Sequence, residues 1–517
     1  MQLTSDKELL YNAKDSAATL RIASELLPEI EKGGYTDTYR HTIELIQPLI
    51  YMMIRGVKVD QIKLQEMKTK CEGLIAQYQK KLNELCGRVI NPNSPDDCQR
   101  YFYGEKGIKP YTKRNAKGGS SVTVDDKALQ RLARDTAGRR GFEEARIIQR
   151  IRQLRKLKGT YLEITFDKDM RLRCSYNPRG TRFARISSSK TVFDTGMNMQ
   201  NLPPAFMQFL VADTGNIFIT FDKRQAEWVV VAYASGDASM IKAVESGLDT
   251  HTYTASEMFK VPMDIIKMEH KLLGSESSPD EIERKRKDMD FLQPYLRQWL
   301  PRNMSMRQCG KKSNHGLNYD EKERMFALIN EISDKEAKVI IDFYHRIYPG
   351  IRRWYDTVQN KLSKDRTLEN LFGRKQRFLD RWGPDLFKSA YSYIPQSSVG
   401  ELVNRGLVKI YRNSEEYSKE LEILMQVHDS IDLQIPIIDV HRIVKCIRMV
   451  AAAMDHKFYA NGREFSIATD LKIGFTLGTL TEIDLSLNDE ELEKAIGSYI
   501  SEQTTTIGLD QRVSGIR

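Results

Sequence analysis

Two aspartates more than two hundred residues apart stand in frames suited to metal-assisted chemistry. Asp222 ends the apolar run Ile217-Phe218-Ile219-Thr220-Phe221, and Asp429 lies between the runs Ile423-Leu-Met-Gln-Val427 and Ile431-Asp-Leu-Gln-Ile435. A carboxylate at a strand end faces a cleft. Mg²⁺ takes oxygen ligands in octahedral geometry and completes its shell with water and substrate phosphates. Two such ions, roughly 4 Å apart, activate an attacking oxygen and stabilise a leaving one. Between the aspartates, Arg307, Lys311, His315 and Tyr319 recur at every fourth residue, which on a helix makes one slowly drifting stripe. Arginine and lysine one turn apart can grip successive phosphates of a triphosphate, and a lysine can protonate the leaving pyrophosphate. No G-x4-G-K-[ST] segment is present to do that job. Taken singly, each aspartate reads first as a turn residue, and the stripe as a basic surface. A basic surface does not account for the histidine and tyrosine that continue the cationic line.

The elements that must position these groups follow from apolar periodicity. Residues 6–31 form a helix by spacing, and 39–54 a second amphipathic stretch leading into a short strand at Val57-Lys58-Val59. Residues 61–86 and 141–162 predict a pair of long amphipathic helices. The second carries Arg146, Arg150, Arg152, Arg155, Lys156 and Lys158 on its outer face, beside the basic loop Tyr111–Ser121, and the one-signed bias favours phosphate contact. Strands are expected at 164–175, 216–222, 423–427 and 431–435, with His428-Asp429-Ser430 as the hairpin turn. Residues 239–365 are helical and charged, and the mixed-charge run Glu281–Asp290 is a solvated helix face. The result is a split sheet domain carrying two helical appendages.

Bulk composition agrees with this division. A chain of 517 residues is too long for one core and suggests about three domains. Eighty Lys and Arg against 70 Asp and Glu, a net charge of +10, favour a polyanionic partner. The six cysteines have neither zinc-ligand nor disulfide-framework spacing, which fits a reducing cytosol. The N-terminus lacks a signal-peptide layout, and the longest apolar stretch, Trp228 to Ala234, is far too short to span a bilayer.

Three segments resemble motifs A, B and C of the family A DNA polymerases, the bacterial polymerase I and phage type. They are Asp222-Lys-Arg-Gln225-Ala-Glu227, Arg307-x3-Lys311-x7-Tyr319 and Gln426-Val427-His428-Asp429. Thr181-x3-Arg185-Ile-Ser-Ser, Asn198-x-Gln200-Asn201-Leu202-Pro203 and Asp249-Thr-His251-Thr are similar to further family segments, as are Tyr348-Pro349-Gly350, Gly373-Arg374 and Pro395-Gln396. The likeness runs from about residue 40 to 485.

The resemblance implies an α+β right-hand polymerase with a palm built on an antiparallel sheet and helical fingers and thumb. It divides the chain into N-terminal helices resembling the end of a 3′–5′ exonuclease domain (1–45), thumb (46–163), first palm part (164–238), fingers (239–385), and second palm part with tail (386–517). It implies that Asp222 and Asp429 hold two Mg²⁺ ions, with the Lys223 carbonyl helping. Arg307 and Lys311 would bind the incoming dNTP, Lys311 serving as general acid, with Gln225 and His315 in the same pocket and Tyr319 beside the nascent base pair. Glu227 would be a steric gate, its bulk and its contact with Tyr319 leaving no room for a ribose 2′-hydroxyl. Arg185, Asn198, Gln200, Asn201, Gln396 and His428 would contact primer–template DNA, where minor-groove acceptors are nearly sequence-independent.

The chain also departs from the family pattern. Ser430 stands where the family usually has Glu, His315 where it has Phe or Tyr, and Asp320 where it has Gly. These departures suggest a divergent phage enzyme working in a bacterial cytoplasm. Tyr11-x3-Asp15 resembles the motif that closes the exonuclease domain, so the expectation is a chain without its own proofreading. A separate exonuclease polypeptide or a processivity factor would be a further partner. Two rivals remain. A phage-type single-subunit RNA polymerase shares the motif B spacing and the His-Asp-Ser turn, and Glu227 with Gln225 speaks against it. An inactive nucleic-acid-binding scaffold would not require Asp222, Asp429, Arg307 and Lys311.

Overall fold

The computed structural model describes residues 6–114, 119–133, 140–274, 279–330, 332–414 and 420–507. The tip of the basic loop at 115–118, residues 275–278 and the tail beyond 507 therefore lie outside the described residues.

A five-stranded antiparallel sheet forms the centre. Its strand order is Glu422–Val427, Ser430–Pro436, Asn216–Lys223, Thr469–Gly474 and Thr481–Ile483. Asn216–Lys223 occupies the middle, and Ile217 to Phe221 are buried without interruption, as suits a strand covered on both faces. Register places Ser430 opposite Asp222 on one side and Asp470 opposite it on the other. The hairpin turn is shorter than expected. Val427 pairs with Ser430, so only His428 and Asp429 make the turn, and His428 takes a left-handed φ of 53°.

The sheet shares a core with the long helix Pro384–Ser414, through Val403, Leu407 and Ile410, and with Val440–Met454, through Ile443 and Ile447. A second core is helical and joins Ala226–Ser235, Thr250–Phe259, Met306–Leu317, Asp334–Ile347 and Pro349–Asp365. A third, small core lies between Gln61–Cys86, Asp126–Ala133 and Glu143–Lys156. The fold is thus α+β with the antiparallel sheet and helical appendages expected.

Some elements differ from expectation. The stretch 39–54 divides at Leu45 into Thr36–Glu44 and Ile46–Arg55. Of 164–175, only Arg171–Leu172 and Ser175, the first residue of the strand Ser175–Asn177, are extended in a sheet. The chain turns at Asp167–Met170 instead, where Arg173 pairs with Asp167 at 2.8 Å and Asp169 at 2.6 Å. The basic helix is in part structural. Arg152 donates to the carbonyls of Pro92 (2.7 Å) and Val124 (2.8 Å), Arg146 to that of Ala133 (2.8 Å), and Lys158 pairs with Glu72 (3.0 Å). Arg150 and Lys156 remain exposed. The helix Asp6–Lys32 buries none of its residues, and Tyr11 on it is 65% exposed. Tyr11 and Asp15 therefore stand on a solvent-facing helix.

Candidate active site

Asp222 and Asp429 meet at one end of the central sheet. The Lys223 amide donates to the Asp429 carbonyl at 3.1 Å, which fixes the two-residue turn against the strand that carries Asp222. Burial, with the neighbouring Asp222 adding to it, pushes the Asp429 carboxyl up to about 6. Burial also raises Asp222; Lys472, 3.6 Å away, opposes this and Asp470 adds to it. Arg224 in turn bonds Asp470, at 2.7 Å through its Nε. Two partly buried carboxylates, the first disfavouring ionisation of the second, concentrate negative charge that Lys472 offsets at Asp222. That donor set fits a divalent cation whose remaining ligands are water and phosphate oxygens. Among the described residues no group of three or more His, Cys, Asp or Glu gathers as a metal site.

Ser430, opposite Asp222 in the ladder, brings no acid to this pair. Its hydroxyl donates to the Val427 carbonyl at 3.0 Å and closes the turn. Lys223 has a buried side chain (2% exposed) whose ammonium donates to the Ile467 carbonyl at 2.9 Å and the Thr469 hydroxyl at 2.8 Å. Burial lowers it to about 8. As a dNTP contact, Lys223 therefore has only its backbone to offer.

The cationic stripe lies on the helix Met306–Leu317, with Tyr319 just past its end. The helix packs against Thr250–Phe259 so closely that a Cβ on Gly310 would sit 2.3 Å from the His251 carbonyl oxygen, a contact only glycine permits. Asn314 locks the pair by accepting from the Thr254 hydroxyl (2.9 Å) and donating to the Thr250 carbonyl (3.3 Å). Lys311 and His315 are exposed. Arg307 holds Asp249 with both ends of its fork, at 2.7 and 3.1 Å. Burial alone would raise Asp249, but hydrogen bonds from Arg307 and Thr252 outweigh it and keep that carboxyl below its ordinary range.

Gln225 is turned to this same corner. With φ at 50°, its side chain accepts from the Thr250 amide at 3.1 Å and donates to Asp249 at 3.3 Å. It therefore braces Asp249, and Arg307 through it.

Glu227 is the hub of the second cluster. It accepts from the Tyr319 hydroxyl, from Arg185 and, at 3.5 Å, from Gln396. The Glu227–Tyr319 contact expected from the sequence is present. Burial, with Glu227 alongside, raises the Tyr319 phenol well above its ordinary range. His428 and Asn201 are exposed, the latter on the turn Met199–Asn201. Asn198 and Gln200 are internal supports. Asn198 caps that turn and accepts from Ser188 at 2.7 Å, while Gln200 (8% exposed) donates to Gln426 at 3.1 Å. Gln426 then reaches the His428 carbonyl at 2.7 Å, so the chain of amides ends under the His428-Asp429 turn.

The sequence reading missed Asp470 and Lys472. The alternation Thr469-Asp-Leu-Lys-Ile-Gly474 is a strand pattern that could have placed both beside Asp222. Tyr11 and Asp15 have no counterpart in either cluster.

The model of DNA polymerase family A matches residues 61–272 and 300–478, about three quarters of the chain. A thermostable DNA polymerase I of Thermus thermophilus is 26% identical over 418 residues, covering 76% of this chain and 43% of that protein. DNA polymerase I of Chloroflexus aurantiacus is 26% identical over 464 residues, covering 86% and 44%. The chain thus spans less than half the length of these relatives. The POL domain of Pol1 from M. smegmatis, solved in complex with DNA primer-template and dNTP, superposes with a TM-score of 0.72 at 21% identity. The match covers 89% of this chain and 74% of that one, and gives the same fold. With motif order, sheet and helical appendages in agreement, this chain belongs to DNA polymerase family A.

Proposed function

We propose that this chain is a DNA-directed DNA polymerase that adds dNTPs to a primer 3′-hydroxyl on a template. The observation that carries this reading is the placement of the Asp222–Asp429 carboxylates in one molecule with the Arg307–Lys311 stripe and the Glu227–Tyr319 pair. Residues 46–163 serve as thumb, 164–238 and 386–517 as palm, and 239–385 as fingers.

Asp222 and Asp429 would hold divalent metal, two Mg²⁺ ions on this reading, which when bound polarise phosphate and primer oxygens. Arg307 exchanges part of its bidentate hold on Asp249 for triphosphate oxygens, an arrangement its planar fork suits. Lys311, one turn on and exposed, neutralises the same phosphates and holds the proton the leaving pyrophosphate takes. Glu227, fixed by Tyr319, Arg185 and Gln396, fills the space a 2′-hydroxyl would need. His428 and Asn201 stand exposed for primer–template contact, and Arg185 and Gln396 flank Glu227 where the nascent pair would lie.

Extension of a primed template by the purified chain, with dNTPs and with rNTPs, tests this. Mg²⁺-dependent extension with dNTPs is expected. Extension by rNTPs in preference would favour the RNA polymerase reading, to which the His428-Asp429-Ser430 sequence is common.

A further inference from the structure

Residues 273–299 lie between the two stretches that the family model matches, and they carry an arginine set deep in the protein. Arg286, on the helix Pro279–Lys287, is 5% exposed, and its partner Glu269, on Met263–Leu273, is fully buried. The Arg286 Nε donates to a Glu269 carboxylate oxygen at 2.9 Å, and an Nη reaches the same oxygen. Two further N–H groups donate to the Met304 carbonyl at 3.1 Å and to the carbonyl of Pro301. One guanidinium thus ties a neighbouring helix to the segment that leads into the cationic helix. A planar fork of fixed donors can do this, and a single ammonium cannot span the same set.

The other Glu269 oxygen completes the tie. It accepts from the Met306 amide at 2.9 Å, at the first residue of Met306–Leu317. Opening helix amides have no partner within the helix and need an external acceptor when buried. The Gln308 amide finds one in the Ser305 hydroxyl at 3.3 Å, and Ser305 bonds the His270 ring at 2.8 Å. The start of the cationic helix therefore hangs from two successive residues of one helix and from Arg286. Arg307 follows Met306 directly, and Lys311 lies one turn on. The segment is also packed in place, since Ile282, Met289 and Leu292 share a core with Met304, Met306 and Cys309.

The geometry points to Arg286 as a positioning residue: with Glu269 it fixes the first turn of the cationic helix, and so the placement of Arg307 and Lys311 on it. Its kinetic consequence rests on the polymerase reading above. Arg286 touches no substrate and acts through the backbone of residues 301–306. A packing role alone would make the chain less stable while leaving the folded enzyme's nucleotide affinity unchanged.

The full-length chain and its Arg286→Lys variant decide between these. Hydrogen–deuterium exchange at the amides of Met306 to Cys309 should quicken about tenfold or more, reflecting a locally frayed helix start. In primer extension the KM for dNTP should rise about tenfold, with kcat and primer–template Kd within about twofold, because misplaced binding groups weaken uptake of the nucleotide that needs them. A lowered Tm with unchanged exchange and unchanged KM would overturn the proposal. Glu269→Gln, which keeps an acceptor for Met306 but removes the charge that holds Arg286, carries the same two readouts if the lysine variant does not fold. Should the unaltered chain extend no primer, the polymerase reading falls, and the exchange measurement still decides whether Arg286 holds the helix.

Discussion

Truncating Glu227 to alanine removes an acceptor and a volume together, and the two losses can be measured apart. Tyr319 is 8% exposed, so its hydroxyl would lose a charged partner with little water to replace it. Such a bond contributes about 1.5–3 kcal/mol. The Arg185–Glu227 pair is 24% exposed on each side. Solvent screening holds its share to about 1 kcal/mol or less. Glu227→Ala should therefore destabilise the chain by about 2–4 kcal/mol. Glu227→Gln, which keeps an acceptor for Tyr319, should cost about half of that. The volume bears on sugar choice. Forcing an extra group into packed space costs about 1–3 kcal/mol. At about 1.4 kcal/mol per decade, the alanine variant should narrow the preference for dNTP over rNTP by about 10- to 100-fold. The glutamine variant, which keeps the bulk, should stay within about threefold of the unaltered chain. Single-nucleotide incorporation gives kcat/KM for each substrate, and denaturant titration gives stability. An alanine variant that discriminates as well as the unaltered chain would refute the steric account, whatever its stability.

Two further outcomes follow from packing and burial. Gly310→Ala would bring a methyl group to 2.3 Å from the His251 carbonyl and 3.1 Å from the Ala255 amide nitrogen. Thermal unfolding should show a loss of about 2–4 kcal/mol as the two helices are pushed apart, with dNTP affinity weakened alongside. His345 is held down to about 4 by burial and by Arg352, against Asp320 and Asp342. Its folded pKa is below its unfolded one, so its contribution is fully present above about 6.5 and is lost as pH falls toward about 4, by about 3 kcal/mol in all. Urea midpoints of His345→Phe measured from pH 7 to 4 should fall less steeply than those of the unaltered chain; parallel curves would show that another group governs the acid limb.

The parts of the site that were legible in the sequence were those carried by local periodicity. The strand before Asp222, the hairpin around Asp429 and the helix bearing Arg307, Lys311 and His315 each declare themselves within a few residues, and each is present, with Tyr319 just past the helix end. What the sequence hides is which polar groups are already occupied. Gln225, Lys223, Asn198 and Gln200 carry donors and acceptors of the right kind, yet partners 10 to more than 200 residues away engage them. Part of the basic face of Glu143–Lys156 is occupied in the same way. Arg152 looks like a phosphate contact until the carbonyls of Pro92 and Val124 are found in its reach. The expected strand at 164–170 failed because Arg173 draws Asp167 and Asp169 into a turn, and ion pairing of that kind has no apolar signature.

The central claim is that Asp222 and Asp429 act together as the metal-holding pair for nucleotide addition. Primer extension by Asp429→Ala and Asp222→Ala, with primer–template binding measured on the same preparations, tests it most directly. Each variant should bind DNA within about threefold of the unaltered chain and lose at least about a thousandfold in extension rate, because removing a group that stabilises charge in the transition state acts on chemistry before it acts on binding. Extension that survives either substitution at near full rate would contradict it.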